Sequence, residues 1–242
     1  KAKLYIIKLA QPKAFSINLN NTAMLQKATI DFLSKLEKNN NKNWFDANRD
    51  AYEAAKADFE IFVAHIHGKL AKIEPKMTDQ KPKNSIFRIF RDVRFSKDKT
   101  PYKPHFSAYF SRGGRKAPDA GYYVHVQPGG KSFVAGGLWM PEGPLLKSAR
   151  QEIDYNFKEF QGILNKASFK KLYPKLEGEQ LKTLPQGYTA DNPAIEFLKM
   201  KSFIASAKLT DKEIASKDAE TVILERFTAM KPLVEFLNRA LD

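Results

Sequence analysis

The chain has no cysteine. Disulfides, thiolate-bound zinc and a cysteine nucleophile are thereby excluded. Acid is scarce: 27 Asp and Glu stand against 41 Lys and Arg, which gives a formal net charge of +14, and there are only four histidines. No apolar run approaches the roughly 18 residues that a membrane span requires. The opening "KAKLYIIKLA" is apolar in part, but Lys8 interrupts it and no small-residue cleavage site follows, so it does not read as a signal peptide. These absences point to a cytoplasmic protein without a membrane partner. Residues 1–23 read as an extension of weak pattern, and Met24 reads as an alternative start.

What is present suffices for a core. At 43% hydrophobic and 12% aromatic, the 242 residues suit one large domain, with no repeat or low-complexity tract to divide it. The cationic excess favours nucleic acid or phosphorylated ligands. The lysines are spread along the whole chain, however, and a basic surface that binds nothing accounts for the charge equally well.

Periodicity gives an outline. "MLQKATIDFLSKLEKNN" places Leu25, Ala28, Phe32, Leu33 and Leu36 at helical spacing, and residues 44–73 carry a longer stripe through Tyr52, Ala55, Phe59, Phe62, Ile66 and Leu70. The period then falls to two. Phe106, Ala108 and Phe110 alternate with His105, Ser107, Tyr109 and Ser111; Tyr122, Val124 and Val126 alternate with Tyr123, His125 and Gln127; "KSFVAGGLW" is a third strand. "GPLLKSARQEI" and "NFKEFQGIL" return to helical spacing, "KSFIASAKL" reads as a further strand, and the tail from Asp211 is helical, with Pro232 expected to kink or restart it. The expected fold is α+β: one domain over 24–242, an antiparallel meander with helices covering one face, and helices at both ends of the chain.

In that meander Phe106, Ala108, Phe110, Tyr122, Val124, Val126, Phe133 and Ala135 are expected to share the apolar face. His105, Ser107, Tyr109, Tyr123, His125 and Gln127 are expected on the other. The stretch "NSIFRIFRDVRFSKDKTPYKPHF", 84–106, leads into the sheet. Its phenylalanine, isoleucine and valine favour a strand over a helix. A strand would turn Phe87, Ile89, Val93 and Phe95 to the core and set Arg88, Asp92 and Arg94 outside. Arginine forks, lysines and imidazoles on one face could bind carboxylate or phosphate; structural ion pairs on a solvated face would look the same. The candidate ligand-binding set is Arg88, Asp92, Arg94, Lys97, Lys99, Tyr102, Lys103, His105, Tyr123 and His125.

Other chemistry finds little support. His65 and His67 point about 200° apart on a helix, cannot share an ion, and read as surface histidines. No carboxylate joins His105 and His125 in a metal set, so neither a metal nor a cofactor is expected. "GGRK" and "PGGK" read as hairpin loops rather than phosphate loops. Ser96 and Ser107 lack the strand–turn–helix setting of a serine nucleophile.

Taken in order, "FRIFRDVRFSKDKTPYKPHFSAYFSRGG", "GYYVHVQPGGKSFVAGGLWMPE" and "LKMKSFIASAKL", with "FLSKLEKNNNKNWFDANRDAYE" before them, resemble a family of conserved hypothetical proteins, a domain of unknown function. The resemblance covers roughly Met24 to Asp242 and leaves residues 1–23 outside. It implies a single α+β domain and supplies no catalytic residues, while its signature includes "FRIFRDVRFSKDKTPYKPH". Two functions remain in view. One is a binding protein or enzyme for a phosphorylated or carboxylated small ligand at the basic sheet face. The other is sequence-tolerant nucleic-acid binding through a basic surface, although the aromatic signature of RNA-binding sheets is absent.

Overall fold

The computed structural model describes residues 23–77 and 79–242; the expectations for the amino-terminal extension fall on residues outside these. Helix α1 spans Lys27–Lys38, α2 Lys42–Ala47 and α3 Arg49–Ile73. The single helix expected over 44–73 is thus divided at Asn48, whose side-chain amide donates to Trp44 O at 2.8 Å and whose N–H returns to the same turn. That local competition ends α2. Strands β1 (Phe106–Ser111), β2 (Gly121–Val126) and β3 (Ser132–Leu138) form the meander. Helices α4 (Gly143–Tyr155), α5 (Phe157–Asn165), α6 (Ala167–Leu172) and α7 (Ile195–Leu198) intervene before β4 (Phe203–Leu209). Helices α8 (Asp211–Ile214) and α9 (Ala219–Arg239) complete the described chain. Helix α9 runs unbroken through Pro232, contrary to the expected restart: its buried face, from Ile223 through Phe227 and Met230 to Leu237, holds both sides of the proline against the core.

The four strands form one antiparallel sheet in the order β1-β2-β3-β4. Helix α9 lies across β3 and β2 and α3 against β1, so one face is covered. Phe106, Ala108, Phe110, Tyr122, Val124 and Val126 point into that interface, as the alternation requires, and join the helical residues in one hydrophobic cluster. Both edges are tied by short bridges. Ile86 pairs with Ala108 beside β1, and Glu177 pairs with Ile204 beside β4. The unpaired backbone that invites edge-to-edge association is thus partly used.

Three placements differ from expectation. His65 and His67 are buried, 8% and 5% exposed, because α3 has neighbours on both flanks, α1 on one and the sheet with α9 on the other. The turn over residues 127–131 sets His125 opposite Phe133 and Val124 opposite Val134. Val134 therefore faces the core, while Phe133 and Ala135 belong to the opposite face. Residues 86–95 are not a strand.

Candidate functional site

Residues 84–105 border β1 and then leave it. Phe87 N–H donates to Ser107 O at 3.0 Å. Beyond Ile89 the chain folds back on itself, with Phe90 bridging Tyr102, Arg91 N–H donating to Pro101 O at 2.9 Å and Lys103 N–H to Ile89 O at 2.8 Å. Pro101 and Pro104 bring no N–H to the returning stem, so a continuous ladder cannot form. The side assignment changes accordingly. Ile89 is buried, but Phe95 is 96% exposed and Phe87 lies half-buried on the open face of the sheet.

This geometry divides the expected ligand set. Tyr102 goes inward: its ring stacks on Phe45 at 3.9 Å, and the Asn40 side chain grips its backbone from both directions, at 2.8 and 3.1 Å. It is a packing residue. The loop tip satisfies itself. Arg94 takes Asp92 in a fork, 3.0 Å from Nε to Oδ1 and 2.8 Å from Nη2 to Oδ2, which holds the Asp92 carboxyl below its usual range. Arg91 engages Asp98 and Thr100; the Thr100 N–H first, then Arg91, lower Asp98 to about 2. Lys99 donates to Val93 O at 3.0 Å, and Lys97 is exposed. No hydrogen bond or ion pair among the described residues joins this tip to the sheet.

Lys103, His105, Tyr123 and His125 do come together, while Arg88 meets them through its backbone oxygen, which accepts from Lys103, and its side chain lines a cleft with Phe59 and Phe106. The strand register places Ser107, His125, Phe133 and Lys208 in one row across the open face and Tyr109, Tyr123, Ala135 and Ser206 in the next. Rings pave the space between. His125 stacks on Phe133 at 4.7 Å and 18°, and His105 covers His125 from the other side at 4.0 Å. Tyr123 meets Phe133 at 5.6 Å and Phe87 edge-on at 6.1 Å. Tyr109 turns away and donates its phenol to Asp119 O at 2.6 Å.

Both nitrogens of His125 are used. Nδ1 lies 3.1 Å from the Tyr123 hydroxyl and Nε2 lies 3.0 Å from Gln127 Oε1, while Gln127 Nε2 donates to Glu37 at 3.2 Å. The amide oxygen can only accept, so the consistent assignment is the neutral Nε2–H tautomer with Tyr123 donating to Nδ1. Burial depresses the His125 imidazole in agreement. His105 is pushed down to about 3 by burial, then by His125 and Lys103. The face therefore carries two neutral imidazoles at neutral pH.

Its charge lies at the rim. Lys103 Nζ sits 5.7 Å and Arg115 Cζ 4.9 Å from the centre of the Phe87 ring, and Lys103 also donates to Arg88 O at 3.1 Å. Burial, then Arg88 and Arg115, lowers the Lys103 ammonium. None of these three cations has an ion pair among the described residues, and residues 1–22 and Thr78 include no Asp or Glu to supply one. Lys208, exposed at the far end of the row, likewise has no ion pair among the described residues. Two carboxylates reach the margins, both engaged: Glu37 with Lys131 at 2.5 Å, and Glu177 with the Ser206 hydroxyl at 2.6 Å.

Sequence reasoning placed Phe133 on the wrong face and read Arg115 only as part of a hairpin loop. The even spacing of His125, Tyr123 and Ser107 marked the face; the register that adds Phe133 and Lys208 depends on the geometry of the 127–131 turn. No group of three or more His, Asp or Glu among the described residues is placed to hold a metal ion. Two clefts flank the ring-paved surface, the smaller sharing Phe87 with it. One of about 540 Å³ opens between the carboxyl-terminal ends of α3 and α9, and one of about 200 Å³ lies beside Phe59, Phe106 and Arg88. No helix among the described residues is long and apolar enough to cross a membrane.

No curated protein and no solved structure matches the chain. A family model described as "Conserved hypothetical protein (DUF2461)" matches residues 28–236, from the second residue of α1 to the last turn of α9. The chain belongs to this family of conserved hypothetical proteins.

Proposed function

We propose that the protein binds a ligand carrying phosphate or carboxylate groups, held at the β1 edge of the open sheet face by Arg88, Lys103 and Arg115. The observation behind this reading is two cations, Lys103 and Arg115, over the Phe87 ring, with Arg88 close enough to lower the Lys103 ammonium and none of the three in an ion pair among the described residues. Their mutual repulsion, and the partial desolvation of Lys103, are costs that an anionic ligand would relieve. Guanidinium forks add two-point geometry to the attraction. His105, neutral and beside Lys103, offers an acceptor for a ligand hydroxyl. Arg94 has no part in the reading, because Asp92 already occupies its fork.

Calorimetric titration with tripolyphosphate at low ionic strength tests the proposal. Lys103→Ala and Arg115→Ala should each weaken binding about three- to tenfold, the effect of one partly solvated charge, whereas Arg94→Ala should leave it unchanged. Absence of binding would refute the proposal, as would a loss in Arg94→Ala equal to that in Arg115→Ala.

A further inference from the structure

We infer that the ring-paved face takes single-stranded nucleic acid, with bases stacked on Tyr123 and Phe133 and phosphates held by cations at both edges of the sheet. The inference rests on the anion-binding reading and assigns the part of the ligand that is not phosphate.

The row Phe87, Ser107, His125, Phe133, Lys208 crosses the edge segment and all four strands. Four strand spacings make it about 19 Å long. Cations stand at its two ends, Lys103 and Arg115 over Phe87 at one and Lys208 beside Phe133 at the other. A compact anion can use only one end; a chain of phosphates satisfies both. The shape agrees. Small-molecule sites are concave, and neither Tyr123 nor Phe133 lines either cleft. Sheets that stack two or three unpaired bases present open aromatic surfaces of this kind.

Hydrogen bonding also favours stacking over base reading. The Tyr123 hydroxyl and both His125 nitrogens are occupied within the sheet, which leaves ring faces for contact and His105, beside the row, with no ring hydrogen bond among the described residues. Weak base preference follows. Glu177, fixed to Ser206, repels phosphate from the row beyond Phe133 and so favours the Phe87–Lys208 line. A duplex would offer phosphates but leave the rings without partners.

The test is fluorescence anisotropy with labelled octamers of uridylate and of thymidylate at low salt. Tripolyphosphate serves as the base-free polyanion and a blunt DNA duplex as the paired competitor. Octamer binding should fall with salt with a log–log slope of about −2 to −3, as three or four phosphate contacts give. Phe133→Ala should weaken octamer binding at least about tenfold while leaving tripolyphosphate binding unchanged. Lys208→Glu, a change at an exposed side chain, should weaken it and flatten the salt slope by about one. Binding of one octamer alone supports the inference. If tripolyphosphate binds through Lys103 and Arg115 but neither octamer binds, the strand is refuted and the anion site stands. Octamer binding indifferent to both substitutions, or duplex binding of equal strength, also overturns the inference. If no polyanion binds, both readings fall together.

Discussion

Gly136 should resist even the smallest side chain, and the reason is space rather than backbone strain. It lies on β3 under α9, and its φ is outside the left-handed region. A Cβ built there would stand 2.1 Å from Met230 Sδ and 2.9 Å from Gly121 O. Carbon contacts are comfortable near 3.5–4.0 Å, so the sulfur would have to retreat by about 1.5 Å or more. Met230 is fully buried, and the Gly121 carbonyl belongs to the neighbouring strand. Overpacking of this kind costs about 1–3 kcal/mol. Loss of glycine's freedom in the unfolded chain returns about 0.4–1 kcal/mol. Gly136→Ala should therefore destabilise by about 1–2 kcal/mol. Met230→Ala alone, which empties a core position, should cost about 2–5 kcal/mol. In the double variant the new methyl group occupies part of the space the sulfur has left, so its loss should fall short of the sum by about 1–2 kcal/mol. Urea unfolding of the four proteins, with m-values checked for constancy, measures this directly. Additivity within about 0.5 kcal/mol, or a Gly136→Ala protein as stable as the parent, would show that the contact does not govern the packing.

Acid should destabilise the protein before its carboxylates titrate. His67, His105 and His125 are all depressed by burial, so as pH falls below about 6.5 the unfolded chain takes up protons first. Stability is fully present above that value and is lost towards about 3, the point to which His105 is pushed. His105 alone should contribute about 1–2 kcal/mol of the loss between pH 7 and 5; His105→Gln should flatten the profile there by that amount, and an unchanged profile refutes the assignment. Tyr102→Ala should cost about 3–5 kcal/mol in chemical denaturation, while Tyr102→Phe should match the parent in both stability and polyanion affinity; a selective loss of affinity in the phenylalanine variant would make Tyr102 a ligand residue. Glu220, fully buried, accepts from Ala23 N–H at 2.7 Å and lies 2.8 Å from Lys69 Nζ. Glu220→Ala strands that ammonium and should cost about 3 kcal/mol, and a thermal midpoint within a degree of the parent would disprove the link.

The parts of the fold legible in the sequence were those whose side-chain period follows from one neighbour. Phe106, Ala108 and Phe110 facing Val126, Val124 and Tyr122 needed only a hairpin to be placed, and the α3 stripe needed only the helical repeat. The candidate site was legible as far as His105, Tyr123 and His125. Phe133 was missed because a one-residue change in the 127–131 turn moves every β3 side chain to the opposite face. The Phe87 and Phe95 assignments failed for another reason. The composition of residues 86–95 suits a strand, but the returning stem carries Pro101 and Pro104, so β propensity had no ladder to join. His65 and His67 were misplaced because the number of elements packing on α3 is a tertiary fact that its own pattern does not carry.

The sheet's order in space is its order in sequence, yet its strands do not close at equal cost. Residues 112–120 join β1 to β2 and 127–131 join β2 to β3, while residues 139–202 separate β3 from β4. Loop-closure entropy is about 1.5–2 kcal/mol for each short connection and about 4 kcal/mol for the long one. The first three strands can therefore assemble early, whereas β4 and α9 dock late. Substitutions along the late seam, Met230→Ala among them, should speed unfolding and barely slow folding. The edge that carries Lys208 is then the last to form and the first to open.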